Sequence, residues 1–190
     1  MKSTILAAAL ALASTNIAMA AEKYVLDASH SQVVFSYNHL GFSTTYGMFS
    51  GFDGEIMFDR DDASKSSVSV SMPVMSMFAG WEQRTGHFMS DDFFGAQDGA
   101  EISFTSTAIE VTGENTAKIT GDLSMNDVTK SVVLDARMNA AGTHPQAQKD
   151  WAGFDATTTL LRSDFNLGAF APYVSDEVAV TISIEAMKAE

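Results

Sequence analysis

Residues 67–74, Ser-Val-Ser-Val-Ser-Met-Pro-Val, decide the fold class, because serine and proline alternate along them with apolar side chains. Successive side chains of a β-strand point to opposite faces, so this stretch predicts a strand with one buried face. The same alternation recurs in five later stretches, the last of which covers residues 178–184. Such a series is typical of half-buried antiparallel strands and predicts an all-β fold.

Two longer strands are predicted before residue 67. Residues 24–37 form one of them, with a bend near Asp27, and residues 47–58 form the other. Gly51 or Gly54 is placed for a bulge or kink in the second strand. The total is eight strands, and no linker or internal repeat separates them.

Eight antiparallel strands with one apolar face can form a closed up-and-down barrel or a two-sheet sandwich. An eight-stranded barrel has room for one small ligand, whereas a sandwich fills its core with side chains. The alternation alone favours the barrel only slightly. A long connection follows residue 74, and a short helix is predicted within it at residues 81–89.

The N-terminal segment predicts export. Lys2 precedes a short apolar run, and Ala18-Met19-Ala20 matches the small-x-small pattern of a cleavage site. We therefore expect a signal peptide at residues 1–20 and one mature domain at residues 21–190, located in the periplasm. A run of about 20 apolar residues, as a membrane-spanning helix needs, is absent from the sequence.

The composition excludes several classes of partner and site. With 11 basic and 24 acidic residues the formal net charge is -13, which argues against nucleic acid and anionic membrane surfaces as partners. The lack of cysteine excludes disulfides and thiolate sites. The 13 phenylalanines and 11 methionines could line an adaptable apolar space, or could form an ordinary core rich in both.

The sequence contains no familiar catalytic motif, neither a nucleophile elbow nor a glycine-rich phosphate loop. His30, His39, His87 and His144 lack the spacing of a zinc site, although three of them could converge. We therefore predict no enzyme activity, no cofactor and no metal. Arg162 ends a strand with the parity of the apolar face, and the pattern leaves open whether it points inward or outward.

An ordered series of short motifs covers nearly the whole mature chain. Residues 24–54 contain Tyr-x-x-Asp, His-Ser, His-Leu-Gly and Gly-x-Phe-x-x-Phe-x-Gly in succession. Ser-x-Asp-Phe-Phe at residues 90–94, Gly-Asp-Leu at 121–123 and Arg-Ser-Asp-Phe at 162–165 follow in the same order. In order and spacing the chain resembles the YceI-like family of exported, polyisoprenoid-binding, lipocalin-like proteins.

The resemblance implies an extended eight-stranded antiparallel up-and-down barrel whose lumen holds a long apolar chain, such as a polyprenyl tail, a ubiquinone tail or a fatty amide. It also makes a homodimer plausible. Asp127 and Asn166 stand where the family usually has glycine, and both residue types tolerate a left-handed backbone, so these changes can be accommodated.

Strand parity, together with the resemblance, predicts which side chains form the ligand site. The predicted lumen residues are Val33, Phe35, Tyr37, Phe52, Ile56, Val70, Met72, Val74, Phe104, Leu123, Met125, Leu134, Met138, Phe154, Leu160, Val180 and Ile182. The predicted mouth residues are His39, Phe42, Trp81, His87, Phe88, Phe93, Arg162 and Phe165. His39, His87 and Arg162 are the candidates for binding a polar head group.

The predicted function is that of a periplasmic carrier for an isoprenoid-type ligand. Three alternatives stay open at the level of sequence. The first is a quinone-linked redox or stress protein that uses His39 or His87. The second is a structural or interaction protein with a filled core, and the third is a divalent-metal protein.

Overall fold

The computed structural model describes residues 20–190, so the predicted signal peptide lies outside the described residues except for Ala20. Within this range, no helix has the length and apolar character needed to cross a membrane. The strands are β1 (Glu22–Leu26), β2 (Gln32–His39), β3 (Ser43–Phe49), β4 (Asp53–Phe58), β5 (Ser67–Pro73), β6 (Glu101–Gly113), β7 (Thr116–Met125), β8 (Val128–Thr143), β9 (Asp150–Leu161) and β10 (Glu177–Lys188). One helix, α1 (Glu82–Phe88), confirms the short helix predicted at residues 81–89.

The ten segments correspond to the eight predicted strands, because each of the two long N-terminal strands is interrupted once. A short 3-10 turn, Ala28–His30, separates β1 from β2, and the Asp27 carboxylate accepts a hydrogen bond from the Ser29 amide at its start. Both β1 and β2 still pair with β10. The predicted bend near Asp27 is therefore present.

The second interruption separates β3 from β4. Gly51 and Gly54 both have positive φ angles there, +70° and +134°. A Cβ atom on Gly54 would lie 2.3 Å from the carbonyl oxygen of Ser69 on the neighbouring strand, so no other residue fits without moving the backbone. This explains why glycine marks the kink.

Every strand is antiparallel to its neighbours, and the sheet closes on itself. The order is β1-β4-β5-β6-β7-β8-β9-β10, and β1 pairs with β10 to complete the ring, while β2 and β3 extend it beside β10. The eight-stranded up-and-down barrel is confirmed and the sandwich is wrong. Closure pairs both edges of the eight strands in the ring, while β3 pairs with β2 on one side and meets Phe78 through a single bridge on the other.

The alternating direction of the strands defines two ends. The upper end carries the β2–β3 turn, the β7–β8 turn and the long connections at residues 74–100 and 162–176. The lower end carries residues 59–66, the β6–β7 turn and residues 144–149. Asp127 in the β7–β8 turn and Asn166 in the upper connection have φ angles of +60° and +59°, as their tolerance of left-handed backbone allows.

Candidate functional site

The inward faces of the strands enclose a cavity of about 1030 Å³. Ligand pockets for drug-sized molecules measure about 300–1,000 Å³, so this cavity is large for a chain of this size. Leu40 and Tyr173 border it at the upper end, and Arg60 and Thr116 border it at the lower end. The cavity therefore runs along the length of the barrel.

The cavity collects all of the predicted lumen residues except Val74. Val74 is buried, but strand β5 ends at Pro73 and a 3-10 turn begins at Val74. Its side chain therefore no longer follows the alternation of the strand, and it packs in the core cluster instead. Parity predicts side-chain direction only while the strand continues.

Six of the eight predicted mouth residues border the upper part of the cavity, namely His39, Trp81, His87, Phe88, Phe93 and Arg162. The other two do not. Phe42 is 90% exposed in the β2–β3 turn, and Phe165 is buried in the 3-10 turn that follows β9. Both lie in turns, where the period-two pattern says nothing about side-chain direction.

Arg162 points inward, and its guanidinium is held by the backbone of the upper connection. Nε donates to the carbonyl oxygen of Ser175 at 2.9 Å, Nη2 donates to Val174 at 3.0 Å, and Nη1 donates to Leu167 and Ala169. Burial lowers the pKa of Arg162 from its ordinary value. Most of its donors are thus committed to shaping residues 162–176, which the sequence pattern did not reveal.

The two histidines at the mouth differ in their surroundings. Nε2 of His87, on α1, lies 3.1 Å from Oδ2 of Asp92, and the imidazole packs edge-on against Phe93 at a centroid distance of 5.2 Å. His39 is exposed at the end of β2, where its backbone pairs with Val174. Both imidazoles border the same end of the cavity.

A group of aromatic rings connects α1 to the barrel wall. The ring of Phe88 packs edge-on against Tyr37 at 6.1 Å and against Phe93 at 5.3 Å. Phe94 does the same against Phe49 at 6.3 Å. The long connection therefore covers part of the upper end with aromatic side chains, and Phe49 and Phe94 are cavity residues that the prediction omitted.

Two glycines keep the lumen open. A Cβ atom on Gly47 would lie 2.3 Å from the ring of Phe35 on the paired strand, and one on Gly121 would lie 2.4 Å from the ring of Phe104. Each phenylalanine ring thus folds flat against the wall over a glycine. A glycine inside an alternating strand, beside a phenylalanine on the next strand, is the sequence signal for this arrangement.

The cavity wall is chemically suited to apolar ligands. Phenylalanine, methionine, valine, leucine and isoleucine make up most of the cavity wall, whereas charged residues border it near the ends at Arg60, Arg84, Glu114 and Arg162 and on the paired strands β8 and β9 at Arg137 and Asp155. Within residues 20–190, every buried polar side-chain atom has a hydrogen-bond partner in the protein, so none needs a ligand atom to complete its hydrogen bonds. Such a wall binds by removing apolar surface from water.

Of the residues described, one group has the spacing of a metal site, and it consists of Asp27, His30 and Glu185. It lies outside the cavity wall. Nδ1 of His30 lies 2.7 Å from Oδ2 of Asp27, and Nε1 of Trp151 donates to Glu185 at 2.8 Å. Hydrogen bonds from Ser29 and His30 lower the pKa of Asp27, and Asp27 raises the pKa of His30. These contacts connect the bend in the first strand to β10 and to Trp151.

Comparison with solved structures identifies the same barrel elsewhere. The YCEI protein of Campylobacter jejuni superposes with a TM-score of 0.72 at 28% sequence identity, covering 80% of this chain and 90% of that one. A polyisoprenoid binding domain from Saccharophagus degradans superposes with a TM-score of 0.65 at 15% identity, covering 87% of this chain and 98% of that one. The second likeness concerns the fold alone.

Sequence comparison identifies the family to which the chain belongs. A UPF0312 protein of Ectopseudomonas mendocina (strain ymp) is 39% identical over 186 residues, which is 95% of this chain and 96% of the relative. The family model described as the YceI-like domain matches residues 24–186, from β1 to the second half of β10. The chain therefore belongs to the YceI-like family.

Proposed function

We propose that this protein is an exported, non-enzymatic carrier that holds one long apolar ligand of the isoprenoid type inside the barrel. The observation that carries the proposal is the apolar cavity of about 1030 Å³ that runs along the barrel. A filled core, as a purely structural role would predict, has no such space. The quinone-linked alternative would use His39 or His87 at the mouth of this same cavity, and it predicts turnover that substitution of these residues abolishes. The metal-dependent alternative is less well supported, because the one described group with the spacing of a metal site, Asp27, His30 and Glu185, lies outside the cavity wall.

The shape of the cavity favours a long ligand. Ile102 and Val111 both lie on β6 and both border the cavity. Nine residues at about 3.3 Å each span roughly 30 Å along a strand. Strands of small barrels tilt by about 35–45°, so the cavity extends for roughly 20–25 Å along the barrel axis. A long chain fills such a space better than a compact molecule.

The residues of the wall favour a branched chain. Met72, Met77, Met125 and Met138 line the cavity together with several phenylalanine rings. Methionine is flexible and polarizable, so its side chain adapts to the methyl branches and bends of prenyl units. Each buried methylene contributes about 0.8 kcal/mol before ordering costs, so a prenyl tail can bind tightly without strong polar contacts.

The polar head group, a quinone ring or a phosphate, is proposed to lie at the upper end. His39 and His87 supply imidazole donors there. Arg162 acts mainly by holding the carbonyls of residues 167–175, with its positive charge close to the mouth. Location in the periplasm is part of the proposal and rests on the export signal in residues 1–20.

Mass spectrometry of the protein purified from the periplasm tests the proposal. We expect a stoichiometric apolar adduct in the native spectrum, which organic extraction releases as a prenyl, quinone or fatty-amide species. A bare protein mass, with no uptake of added ubiquinone or polyprenyl phosphate, would contradict the carrier function. The same spectra report whether cleavage occurs after Ala20.

Two neighbouring residues offer a matched pair of variants. Leu134 borders the cavity, whereas Val133 points outward from the same strand. We expect Leu134→Lys to lose the adduct, because an ammonium group in the lumen is costly to desolvate, and Val133→Lys to retain it. Met72→Lys provides an independent lumen charge on β5. Retention of the ligand by both lumen variants would remove these residues from the site.

A further inference from the structure

Large apolar side chains stand uncovered around the mouth of the cavity. Phe42 and Tyr173 are 90% and 77% exposed, and Leu40, Trp81 and Phe170 are each about half exposed. We call these five residues the apolar rim. Four of them, all except Phe42, also border the cavity, so the rim and the mouth form one continuous surface. Exposed apolar patches of this kind commonly mark interaction sites.

The rim is held together by contacts between its segments. The amide of Leu40 donates to the carbonyl oxygen of Tyr173 at 3.1 Å, and the ring of Phe170 lies 6.0 Å from that of His87 on α1. Trp81 immediately precedes α1. The β2–β3 turn, the long connection with α1 and the connection at 162–176 therefore meet at one place.

The turn that carries Phe42 is ordered by its own hydrogen bonds. The Asn38 side chain accepts a bond from the Gly41 amide at 2.7 Å, and the Phe42 amide donates to the carbonyl oxygen of His39 at 3.0 Å. Leu40 and Gly41 have φ angles of +57° and +78°. This turn holds the phenylalanine ring outward, away from the barrel.

The stretches of chain next to the five rim residues carry no charge, although the two long connections that contain them do. Residues 38–52, 66–81 and 165–175 contain no Asp, Glu, Lys or Arg, although the whole chain has 24 acidic and 11 basic residues. Charged residues begin again at Glu82 and Asp176, next to the rim. The exposed aromatic side chains of this end therefore lie in uncharged stretches, and charged residues such as Glu82 and Asp92 lie beside them.

We propose that the apolar rim docks on the surface of an uncharged lipid bilayer, so that an apolar ligand can move between the bilayer and the cavity without crossing water. This inference rests on the proposed carrier function. Tryptophan and tyrosine are the residues that favour the membrane–water interface, and the acidic chain is repelled by anionic surfaces. Any surface that covers the rim also covers the mouth, and a bilayer is where a long-chain ligand resides.

Co-flotation with vesicles tests the docking surface. We expect the wild-type protein to float with vesicles of phosphatidylcholine and phosphatidylethanolamine, with little change between about 0.05 and 0.5 M salt, since no ion pairs are involved. Vesicles rich in phosphatidylglycerol should bind less protein. Absence of wild-type flotation, or binding that requires anionic lipid, would overturn the proposal.

A matched pair of variants localises the effect. We expect Phe42→Asp to weaken vesicle binding by at least about tenfold, since one buried phenylalanine is lost and a charge is added at the rim. Val133→Asp adds the same charge on the barrel wall and should bind like the wild type. Equal losses in both variants would overturn the assignment to the rim. So would a wild-type dimer in sedimentation that Phe42→Asp dissociates, because the rim would then be an interface between two copies.

The two proposals fail in different ways. Ligand adducts are measured by mass spectrometry on the wild-type protein, whereas docking is measured by flotation of the same preparation. An adduct without flotation would overturn docking and leave the carrier function standing. Flotation without an adduct would retain the docking surface and overturn transfer of a ligand through it.

Discussion

The two ends of the barrel differ in chemistry, although the same eight strands lead into both. At the upper end, exposed aromatic side chains from three uncharged stretches surround the mouth, and the charged residues of the same connections, such as Glu82 and Asp92, lie beside them. At the lower end, residues 59–66 alone include three aspartates, one arginine and one lysine, with pairs such as Lys65–Asp62. The strands therefore provide the cavity, and the connections determine what each end of it can contact.

One arginine at each end makes the contrast measurable. Arg162 donates hydrogen bonds to four backbone carbonyls of the upper connection. Arg60 donates one to the hydroxyl of Tyr24 at 2.8 Å and lies 3.8 Å from Asp150. Arg162 thus stabilises a loop that has no regular strand or helix beyond its first turn. The region around Arg60, in contrast, is also stabilised by hydrogen bonds within its own turns.

We expect Arg162→Met to produce the largest effect, a loss of about 3 kcal/mol in the free energy of unfolding. The carbonyls that it satisfies would be left without their charged donor. Arg60→Met should cost about 1 kcal/mol, since it removes one hydrogen bond and a partly exposed ion pair. Urea unfolding measures both values. Equal losses would contradict the view that the upper end depends on one partly buried cation.

Hydrogen exchange adds a local measurement to the same pair. The amides of residues 166–175 should exchange faster in Arg162→Met, while those of the β-strands keep their protection. In Arg60→Met the upper connection should be unchanged. Faster exchange throughout the barrel in Arg162→Met would indicate a global loss of stability instead of a loosened upper loop.

How far the sequence could predict these features depends on the regularity of the backbone. The alternation in residues 67–72 continues through a regular strand, and Val70 and Met72, which it predicts to face the lumen, border the cavity. Val74 follows the end of that strand, and its direction could not be read from the pattern. The side-chain direction of Phe42, which lies in the β2–β3 turn, could not be predicted from the alternation either.

Arg162 illustrates a second limit. Its parity matches the apolar face, which leaves its direction open, and the sequence predicts a ligand head group as its partner. The structure supplies backbone carbonyls from residues up to 13 positions away. No residue type in the sequence marks a carbonyl as a partner, since every residue has one. Hydrogen bonds between a side chain and a loop backbone therefore escape sequence reasoning.

A smaller effect is expected midway between the ends, at Gly47. An alanine Cβ would displace the ring of Phe35, whose nearest atom lies 2.3 Å from that position, and we expect the displaced ring to occupy part of the lumen. We expect Gly47→Ala to cost about 1–3 kcal/mol and to lower ligand occupancy in native mass spectra, as overpacking does. Gly142→Ala on β8 meets no atom within 4 Å and serves as the control. Full ligand occupancy in Gly47→Ala would contradict the view that Gly47 keeps space in the lumen for the ligand.

The smallest effect concerns the bend where the first strand passes from the lower to the upper half. Asp27 raises the pKa of His30 above its ordinary value of 6.5, so His30 stabilises the fold at acidic pH and this contribution is lost as pH rises through the raised pKa. The pKa of Asp27 is lowered from 3.8, first by Ser29, so its contribution is lost as pH falls through the lowered pKa. The difference in thermal midpoint between the wild type and His30→Gln should therefore shrink from pH 6 to about pH 9.

The difference in thermal midpoint between the wild type and Ser29→Ala should instead shrink as pH falls below about 4, where the contribution of the Asp27 carboxylate is lost. Identical pH profiles for the two variants would show that the bend depends on the shape of its 3-10 turn alone, and not on the charges of Asp27 and His30.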